Sequence, residues 1–282
     1  MKKKVTFKNK PVTLVGRNIK INEIGFDFHV ASNDLTENSL ANFKDKIKLI
    51  TFFPSLDTGV CDLQVKEFNK KASLLSSDVV VLGISKDLPF AQKRFCDSFK
   101  ISNIKLFSDY KTSSFGINYG VLIKELGLLA RGAFILDKNN VIRYIQIVDE
   151  ITNSIDYESL LKSLSEIVKS PNISIKDKIL TRCRACEEGT SALKKDDILK
   201  NIKLLNQWEI IEDKKIVKEF KFKDFIEAKY FLDLIAAIAD EQNHHPTLII
   251  NYNKLKVILT THFVNGLTDN DFIMAKIIDQ LI

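Results

Sequence analysis

The sequence is poor in several residue types, and each shortage excludes a class of protein. Four cysteines in 282 residues do not suggest a disulfide scaffold and favour redox or metal chemistry instead. Apolar runs such as 79–82 and 234–239 are far shorter than the ~20 residues of a membrane helix. Lysines at positions 2–4 resemble the start of a signal peptide, but no apolar core follows them. We therefore expect a cytoplasmic protein with no membrane segment.

Basic residues are abundant but are not clustered. The net charge of +6 comes mostly from lysine, because only six of the 42 basic residues are arginine. A nucleic-acid-binding surface usually combines clustered basic residues with aromatic ones. Dispersed lysines are typical of a solvated surface instead, so we expect no nucleic-acid partner. The content of 45% hydrophobic and 28% charged residues is that of a globular protein.

The pattern of apolar residues changes near residue 170 and predicts two domains. Residues 1–169 alternate apolar strands with amphipathic helices, which predicts an α/β fold with mixed strand directions. Pro171 interrupts the last helix of this domain, and residues 170–182 are a predicted polar linker. Residues 183–282 are predicted to be α+β, with helices on one face of an antiparallel sheet.

The segment PSLDTGVC, residues 54–61, connects an apolar strand to a predicted helix that begins near residue 57. Thr58 and Cys61 are three residues apart, so they lie on one face of that helix. The helix N-terminus favours the thiolate of Cys61, the Thr58 hydroxyl can donate to it, and Pro54 would shield the sulfur from water. Arg131 is the best candidate for a cationic partner. The alternative is a buried cysteine that acts only as a small hydrophobic residue.

Three of the four histidines, His244, His245 and His262, fall in one short region of the second domain. A hairpin turn at residues 253–254 would pair Tyr252 with Leu255, and the same register would bring His262 opposite His245. Such a cluster is typical of a metal site or of acid–base chemistry near neutral pH. The carboxylates that could complete either site are Asp240, Glu241 and Asp271. Three unrelated polar histidines are the remaining alternative.

Residues 53–64, FPSLDTGVCDLQ, resemble the active-site segment of the thiol peroxidases, which are atypical two-cysteine peroxiredoxins. Residues 87–96, DLPFAQKRFC, are similar to the resolving-cysteine helix of that family, and 129–134 and 146–151 also match in order. The resemblance covers residues 3–168 and implies a thioredoxin-like fold.

The resemblance also implies the roles of individual residues. Cys61 would be the peroxidatic thiolate, which hydrogen peroxide or an organic hydroperoxide oxidises to a sulfenic acid. Thr58 and Arg131 would orient the peroxide, and Pro54 belongs to the same motif. Cys96 would resolve the sulfenic acid as a Cys61–Cys96 disulfide, which thioredoxin would then reduce. A redox sensor that does not turn over peroxide is the alternative for this domain.

The segment EQNHHP at residues 241–246, together with 252–257 and 259–262, resembles the pterin-4a-carbinolamine dehydratases over residues 183–282. These enzymes dehydrate 4a-hydroxytetrahydropterin to the quinonoid dihydropterin by acid–base catalysis, with neither a metal nor a cofactor. The resemblance implies that three histidines line the pocket, that two carboxylates support them, and that the last two histidines transfer protons. These residues are His244, His245 and His262, with Asp240 and Asp271.

Several positions of the second domain depart from the dehydratase pattern. Acidic residues are frequent where this chain has Thr247 and Phe263, and glutamate is frequent at the position of Asp240. The alternative is therefore a peroxidase whose C-terminal domain is a non-catalytic dimerisation module, since the dehydratase resemblance implies a homo-oligomer. Cys183 and Cys186 form a C-x-x-C pair, to which we assign no function.

Overall fold

The computed structural model describes residues 4–169, residue 183 and residues 190–281. By its internal contacts the chain divides into two compact units, residues 1–177 and residues 178–282, which are described in turn. The predicted linker, residues 170–182, lies outside the described residues, so the predicted domain limits remain predictions. In the described part of the chain no helix is both long enough and apolar enough to cross a membrane.

The first unit alternates strands and helices, as its apolar pattern predicts. Its strands are β1 (Val5–Phe7), β2 (Lys10–Val12), β3 (Leu14–Val15), β4 (Val30–Ala31), β5 (Glu37–Asn38), β6 (Ile47–Phe52), β7 (Val79–Ser85), β8 (Lys105–Ser108), β9 (Leu122–Ile123), β10 (Gly132–Leu136) and β11 (Ile142–Ile147). Its helices are α1 (Gly59–Ala72), α2 (Pro89–Phe99), α3 (Ser114–Asn118) and α4 (Tyr157–Lys169).

The central sheet of this unit has seven strands in the order β11-β10-β6-β7-β8-β4-β5. β6 pairs in parallel with β7, and β7 pairs in parallel with β8, whereas β10 is antiparallel to both β6 and β11. Every residue of β6 is buried, because both faces of the sheet are covered. This mixed sheet confirms the predicted thioredoxin-like fold.

The two faces of the sheet pack into separate cores. On one face Cys61 and Val65 of α1 pack with Leu49, Ala133 and Leu160, which come from β6, β10 and α4. The opposite face carries a group of aromatic rings in mutual contact, namely Phe28, Phe52, Phe115, Tyr119 and Phe134. Cys61 therefore lies in the core between the sheet and its helices.

The second unit is an antiparallel sheet with helices packed on one face, which confirms its predicted class. Its strands are β12 (Glu209–Ile211), β13 (Lys215–Lys221), β14 (Thr247–Asn251) and β15 (Lys254–Leu259), in the sheet order β12-β13-β15-β14. Its helices are α5 (Lys195–Ile202), α6 (Phe225–Gln242) and α7 (Asp269–Gln280). Alternate residues of β13 and β15 are buried, as expected for a sheet with one covered face.

Two predicted details of the second unit are wrong. The sequence predicts strands over 208–217 and 218–222, but the break falls at residues 212–214, because residues 212 and 213 adopt positive φ and form the turn. The hairpin turn also lies one residue earlier than predicted, so Asn251 pairs with Lys254. Hydrogen bonds between Asn253 and Phe222 fix that turn.

Because the turn lies one residue earlier, the register of the hairpin moves by two residues. Thr247 pairs with Ile258, and the predicted pairing of His245 with His262 is wrong. A shift of two residues keeps the same side chains on the core face. The hydrophobic pattern therefore could not distinguish the two registers.

We expect Gly132→Ala to destabilise the first unit by about 3 kcal/mol. A Cβ atom at Gly132 would collide with the Gln146 carbonyl oxygen and the Phe52 ring. Gly59→Ala is the matched control, since its Cβ would meet nothing within 4 Å. Calorimetric melting of the full chain measures both variants. An unchanged transition in Gly132→Ala would contradict the packing described for β10.

Candidate active sites

The first candidate site lies where β6 ends and α1 begins. Pro54 is buried just after β6, and the chain turns through residues 55–57 into the helix. Thr58 is the N-cap residue of α1 and has extended backbone, with φ −109° and ψ 137°. Cys61 follows in the first helical turn, and its exposed fraction is 0%. The turn therefore holds the sulfur at the positive end of the helix dipole.

In the described part of the chain, two side chains lie within hydrogen-bond distance of the Cys61 sulfur. Thr58 Oγ1 lies 2.7 Å from Sγ, and Arg131 Nη2 lies 3.1 Å from it. Arg131 is buried, and its Nε donates to the Ile151 carbonyl oxygen at 2.7 Å. Charge-assisted hydrogen bonds of this kind favour an ionised acceptor. The arrangement can therefore stabilise a thiolate at Cys61.

The Thr58 hydroxyl lies between two acceptors but carries one proton. Its Oγ1 is 2.7 Å from Cys61 Sγ and 3.2 Å from the Ser55 carbonyl oxygen. With a thiolate at Cys61 the hydroxyl can donate to sulfur. With a thiol, the S–H group can donate to Oγ1 while the hydroxyl donates to Ser55. The turn therefore satisfies both protonation states of the cysteine.

Gln64 holds Arg131 in place, and the sequence analysis assigned it no role. Gln64 is buried one turn after Cys61 on the same face of α1. Its Oε1 accepts a short hydrogen bond from Arg131 Nη1, and its Nε2 donates to Thr51 Oγ1 at 2.6 Å. The three-residue spacing from Cys61 is the signal that could have identified it.

Asp87 links the Cys61 turn to helix α2. Its carboxylate accepts hydrogen bonds from Ser55 Oγ at 2.7 Å, from the Leu56 N–H at 2.8 Å and from Ser85 Oγ at 2.7 Å. α2 starts two residues later, at Pro89, and carries Cys96. These hydrogen bonds join the residues just before α2 to the turn that precedes Cys61.

Cys96 is half-buried near the C-terminal end of α2. Burial raises the pKa of its thiol, and the Nδ2 of Asn33 lies 3.9 Å from its sulfur. Cys61 and Cys96 are both free thiols. The structure therefore describes the reduced state, with the two cysteines on separate helices.

The second candidate site begins where α6 ends. Asn243, with φ +47°, terminates the helix, and His244 and His245 follow it. The buried His244 has its Nε2 2.9 Å from Asp271 Oδ1. A carboxylate can only accept a hydrogen bond, so Nε2 of His244 carries the proton. In the neutral ring Nδ1 is then an acceptor for a donor on another group.

Asp271 is fully buried in the first turn of α7, and two further donors fix it. Its Oδ2 accepts from Thr261 Oγ1 at 2.8 Å and from the Thr268 N–H at 2.8 Å. The Thr268 hydroxyl lies 2.7 Å from Thr261 Oγ1, to which it can donate. Sequence reasoning missed both threonines, although Thr268 and Asp271 have the three-residue spacing of a capping box. Thr261 becomes a neighbour of Asp271 only through the strand-to-helix connection.

The other two predicted histidines are exposed. His245 Nε2 lies 3.1 Å from Asp240 Oδ1, whereas His262 starts a short 3-10 turn that ends at Val264. His244 is thus paired with Asp271, and His245 with Asp240. The side chain of Glu241, the third predicted carboxylate, lies outside the described part. Among the described residues no group of three or more His, Cys, Asp or Glu side chains is arranged to hold a metal ion.

Comparison with known proteins decides the family of the first unit. A family model described as Redoxin matches residues 17–162. The thiol peroxidase of Staphylococcus saprophyticus is 48% identical over 163 residues, which cover 58% of this chain and 98% of that protein. The thiol peroxidase of Bacillus subtilis is 47% identical over 165 residues, again 58% of this chain and 98% of the relative. The chain belongs to the thiol peroxidases.

A solved structure and a second family model extend this result. The crystal structure of a peroxiredoxin-like protein from Aquifex aeolicus is 39% identical, with a TM-score of 0.56, and covers 59% of this chain and 98% of that one. Residues 191–281 match the family model described as Pterin 4 alpha carbinolamine dehydratase. The chain is thus a thiol peroxidase fused to a domain of the dehydratase family, which confirms both resemblances.

In this thiol peroxidase the C-x-x-C pair is only partly described. The backbone N–H of Cys183 donates to Gln242 Oε1 at 3.0 Å, and its sulfur lies 3.6 Å from the Asn270 carbonyl oxygen. Cys186 lies outside the described residues. Cys183 therefore packs against the two segments that carry His244 and Asp271.

We expect Gln64→Leu to slow the reaction of Cys61 with hydrogen peroxide by about tenfold, since Arg131 would lose a fixed acceptor. Competition kinetics against a reference peroxidase measures the rate constant. Gln207→Leu, at an exposed position in the second unit, is the control and should match the parent chain. Equal rates in all three proteins would show that Gln64 does not position the guanidinium.

Proposed function

We propose that the first unit reduces hydrogen peroxide and organic hydroperoxides with electrons from thiols. The observation that carries this proposal is the buried Cys61 sulfur with Thr58 and Arg131 as its two hydrogen-bond donors. The Cys61 thiolate attacks one peroxide oxygen, the O–O bond breaks, and Cys61 becomes a sulfenic acid. The Arg131 guanidinium stabilises the negative charge on the leaving oxygen, which takes a proton to become water or an alcohol.

The second step joins the two cysteines. The Cys96 thiolate attacks the sulfenic sulfur, hydroxide leaves and is protonated to water, and a Cys61–Cys96 disulfide forms. Disulfide geometry brings two Cα atoms to about 5.5–6 Å, so the ends of α1 and α2 that carry these residues unwind. Asp87 bonds to Ser55 and Leu56 on the Cys61 side, and it is positioned to couple the two movements.

Thioredoxin is the proposed reductant of that disulfide, by thiol–disulfide exchange. We propose that this turnover takes place in the cytoplasm. We also propose that the protein is a homo-oligomer. A sensor would be oxidised once and reset slowly, whereas this cycle consumes peroxide continuously.

We propose that the second unit dehydrates 4a-hydroxytetrahydropterin to the quinonoid dihydropterin. Loss of water needs one group to protonate the leaving hydroxyl and another to accept a proton from the ring. His245 and His262 are exposed and are the proposed proton-transfer pair, with Asp240 beside the former. His244 is the proposed substrate-binding group, since Asp271 fixes its tautomer. No metal or cofactor takes part in this proposal.

The second candidate for this unit is a non-catalytic dimerisation module. Large apolar side chains are exposed on it, and one of them, Phe263, is adjacent to His262 and 61% exposed. Acidic residues are frequent at that position and at Thr247 in the dehydratase pattern. Measurable dehydration of the pterin by this unit would distinguish a dehydratase from a dimerisation module.

Replacement of either cysteine tests the peroxidase cycle. In a thioredoxin-coupled assay of the full chain, Cys61→Ser should lose peroxide consumption by at least about a hundredfold, because no thiolate attacks the peroxide. Cys96→Ser should react once and then accumulate sulfinic acid at Cys61, which mass spectrometry detects. Turnover equal to the parent chain in both variants would refute the two-cysteine cycle.

Single histidine variants test the dehydratase. His245→Gln and His262→Gln in the full chain should each lower kcat for pterin dehydration by about a hundredfold or more. His244→Gln should mainly raise KM, because it removes a binding group rather than a proton carrier. If the parent chain dehydrates no pterin while its mass in solution depends on residues 190–281, the dimerisation module is the correct function.

A further inference from the structure

Helix α2 is attached to the rest of the first unit unevenly along its length. Its buried side chains are Pro89 and Gln92, both in the first half, and none of residues 93–99 of this fully described helix is buried. A pocket of about 600 Å³ opens beside the second half, where Lys93 and Cys96 line it. A segment with few buried contacts opens at a low cost in free energy. The half of α2 that carries Cys96 is therefore the half that unwinds most easily.

Gln92 fixes the first half of α2 to the central sheet. Its exposed fraction is 0%, and its Nε2 donates to the Phe107 carbonyl oxygen at 2.8 Å and to Ser85 Oγ at 3.0 Å. The Ser85 hydroxyl has one proton, which it donates to Asp87 Oδ2 at 2.7 Å, so its oxygen is free to accept from Gln92. Because Phe107 lies on β8 and Ser85 on β7, this one side chain ties the helix to two neighbouring strands.

Packing alone does not explain a glutamine at this position. The Oε1 atom of Gln92 is buried and has no hydrogen-bond partner within the described residues. A buried polar atom without a partner destabilises the fold, and a leucine of similar size would avoid that loss. A leucine would fill the same space, but it would not hold the helix in one position by directional bonds. The two hydrogen bonds of Nε2 are therefore the feature that distinguishes Gln92.

A second side chain, Asn69 of α1, holds the chain just after α2. Its Oδ1 accepts from the Asn103 N–H at 2.8 Å and from the Ser102 N–H at 3.0 Å, and its carbonyl oxygen accepts from Asn103 Nδ2 at 3.1 Å. Between Gln92 and these bonds, Lys100 ends α2 with φ +53°, which is unfavourable for a residue with a Cβ atom. Residues 93–101 are thus fixed at both ends and weakly held between them.

We propose that Gln92 and Asn69 are positioning residues that set the two limits of the unwinding of α2. When the Cys61–Cys96 disulfide forms, residues 93–101 leave their helical conformation, while the start of α2 and the chain after this segment stay in place. The inference rests on the proposed peroxidase cycle, which requires α2 to unwind but does not define where the unwinding stops. A short free segment keeps Cys96 close to Cys61, because the entropy lost on closing a loop grows with its length.

Loss of the Gln92 hydrogen bonds would lengthen the free segment. The next residue held in the sheet is Ser85, the last residue of β7, so the free segment would become 86–101. This is nearly twice the length of 93–101, and closure of the longer loop is about twofold less probable. Attack of Cys61 on peroxide should not change, since the bonds of Gln92 are made to β7 and β8 rather than at the Cys61 sulfur.

Hydrogen exchange in the full chain, before and after oxidation by hydrogen peroxide, measures where the unwinding stops. In the parent chain we expect oxidation to speed amide exchange at residues 93–101 by at least about tenfold and to leave residues 86–92 unchanged. In Gln92→Leu the faster exchange should extend through 86–92. Arg94→Leu, at an exposed position of the same helix, is the matched control and should keep the parental limit.

Faster exchange at residues 86–92 in the oxidised parent chain, or the parental limit in Gln92→Leu, would overturn the proposal. Asn69→Ala tests the other limit, because the faster exchange should then extend beyond residue 101. An unchanged limit in Asn69→Ala would refute the role of that residue. If Gln92→Leu does not fold, the exchange of the oxidised parent chain by itself still supports or overturns the limit at Gln92.

Rapid quenching followed by mass spectrometry separates this proposal from the peroxidase cycle. Gln92→Leu should form the Cys61 sulfenic acid at the parental rate but form the disulfide about twofold more slowly, so that sulfinic acid accumulates. A parental rate of disulfide formation in this variant would contradict the role of Gln92. If peroxide produces no Cys61–Cys96 disulfide in the parent chain, the peroxidase cycle fails. The thiol oxidant diamide then forms the disulfide, and the limits of unwinding are measured on that product.

Discussion

The contact between the Arg131 guanidinium and the Cys61 sulfur is the constraint on which the first unit depends. A buried cation is costly unless it is paired and hydrogen-bonded, and Arg131 meets that requirement through Cys61, Gln64 and the Ile151 carbonyl. These partners come from α1 and from the segment after β11, while the arginine itself lies immediately before β10. The strand order of the sheet is therefore what brings cation and sulfur together.

The second unit uses the same principle with the opposite charge. Asp271 is buried, and its partners are His244, Thr261 and the backbone of Thr268. Cys61 and Asp271 both lie in the first turn of a helix, where free N–H groups and the helix dipole favour a negative charge. Each unit thus places a buried hydrogen-bond acceptor at a helix N-terminus and uses neighbouring elements to complete its hydrogen bonds.

The local pattern of apolar residues predicted most strands and helices of the fold. It failed for features that depend on tertiary contacts alone. β6, β7 and α2 follow from apolar runs and helical spacing to within one residue of their true ends, whereas the spacing predicts α1 over 61–75 and the helix is Gly59–Ala72. The hairpin register could not be predicted, because a shift of two residues leaves the same faces buried. The motifs identified Cys61 and Arg131. The roles of Gln64 and Asp87 were missed, because each bonds to residues distant in sequence, and local pattern does not show which distant side chains meet.

The most direct test of the account compares two reactions of Cys61 in the parent chain and in Arg131→Lys. Hydrogen peroxide needs stabilisation of the leaving oxygen, whereas alkylation by iodoacetamide needs only the thiolate. The account predicts that Arg131→Lys slows the peroxide reaction by about a hundredfold or more and slows alkylation far less, with circular dichroism confirming the fold. Equal losses in both reactions, or none, would contradict the claim that Arg131 acts on the peroxide.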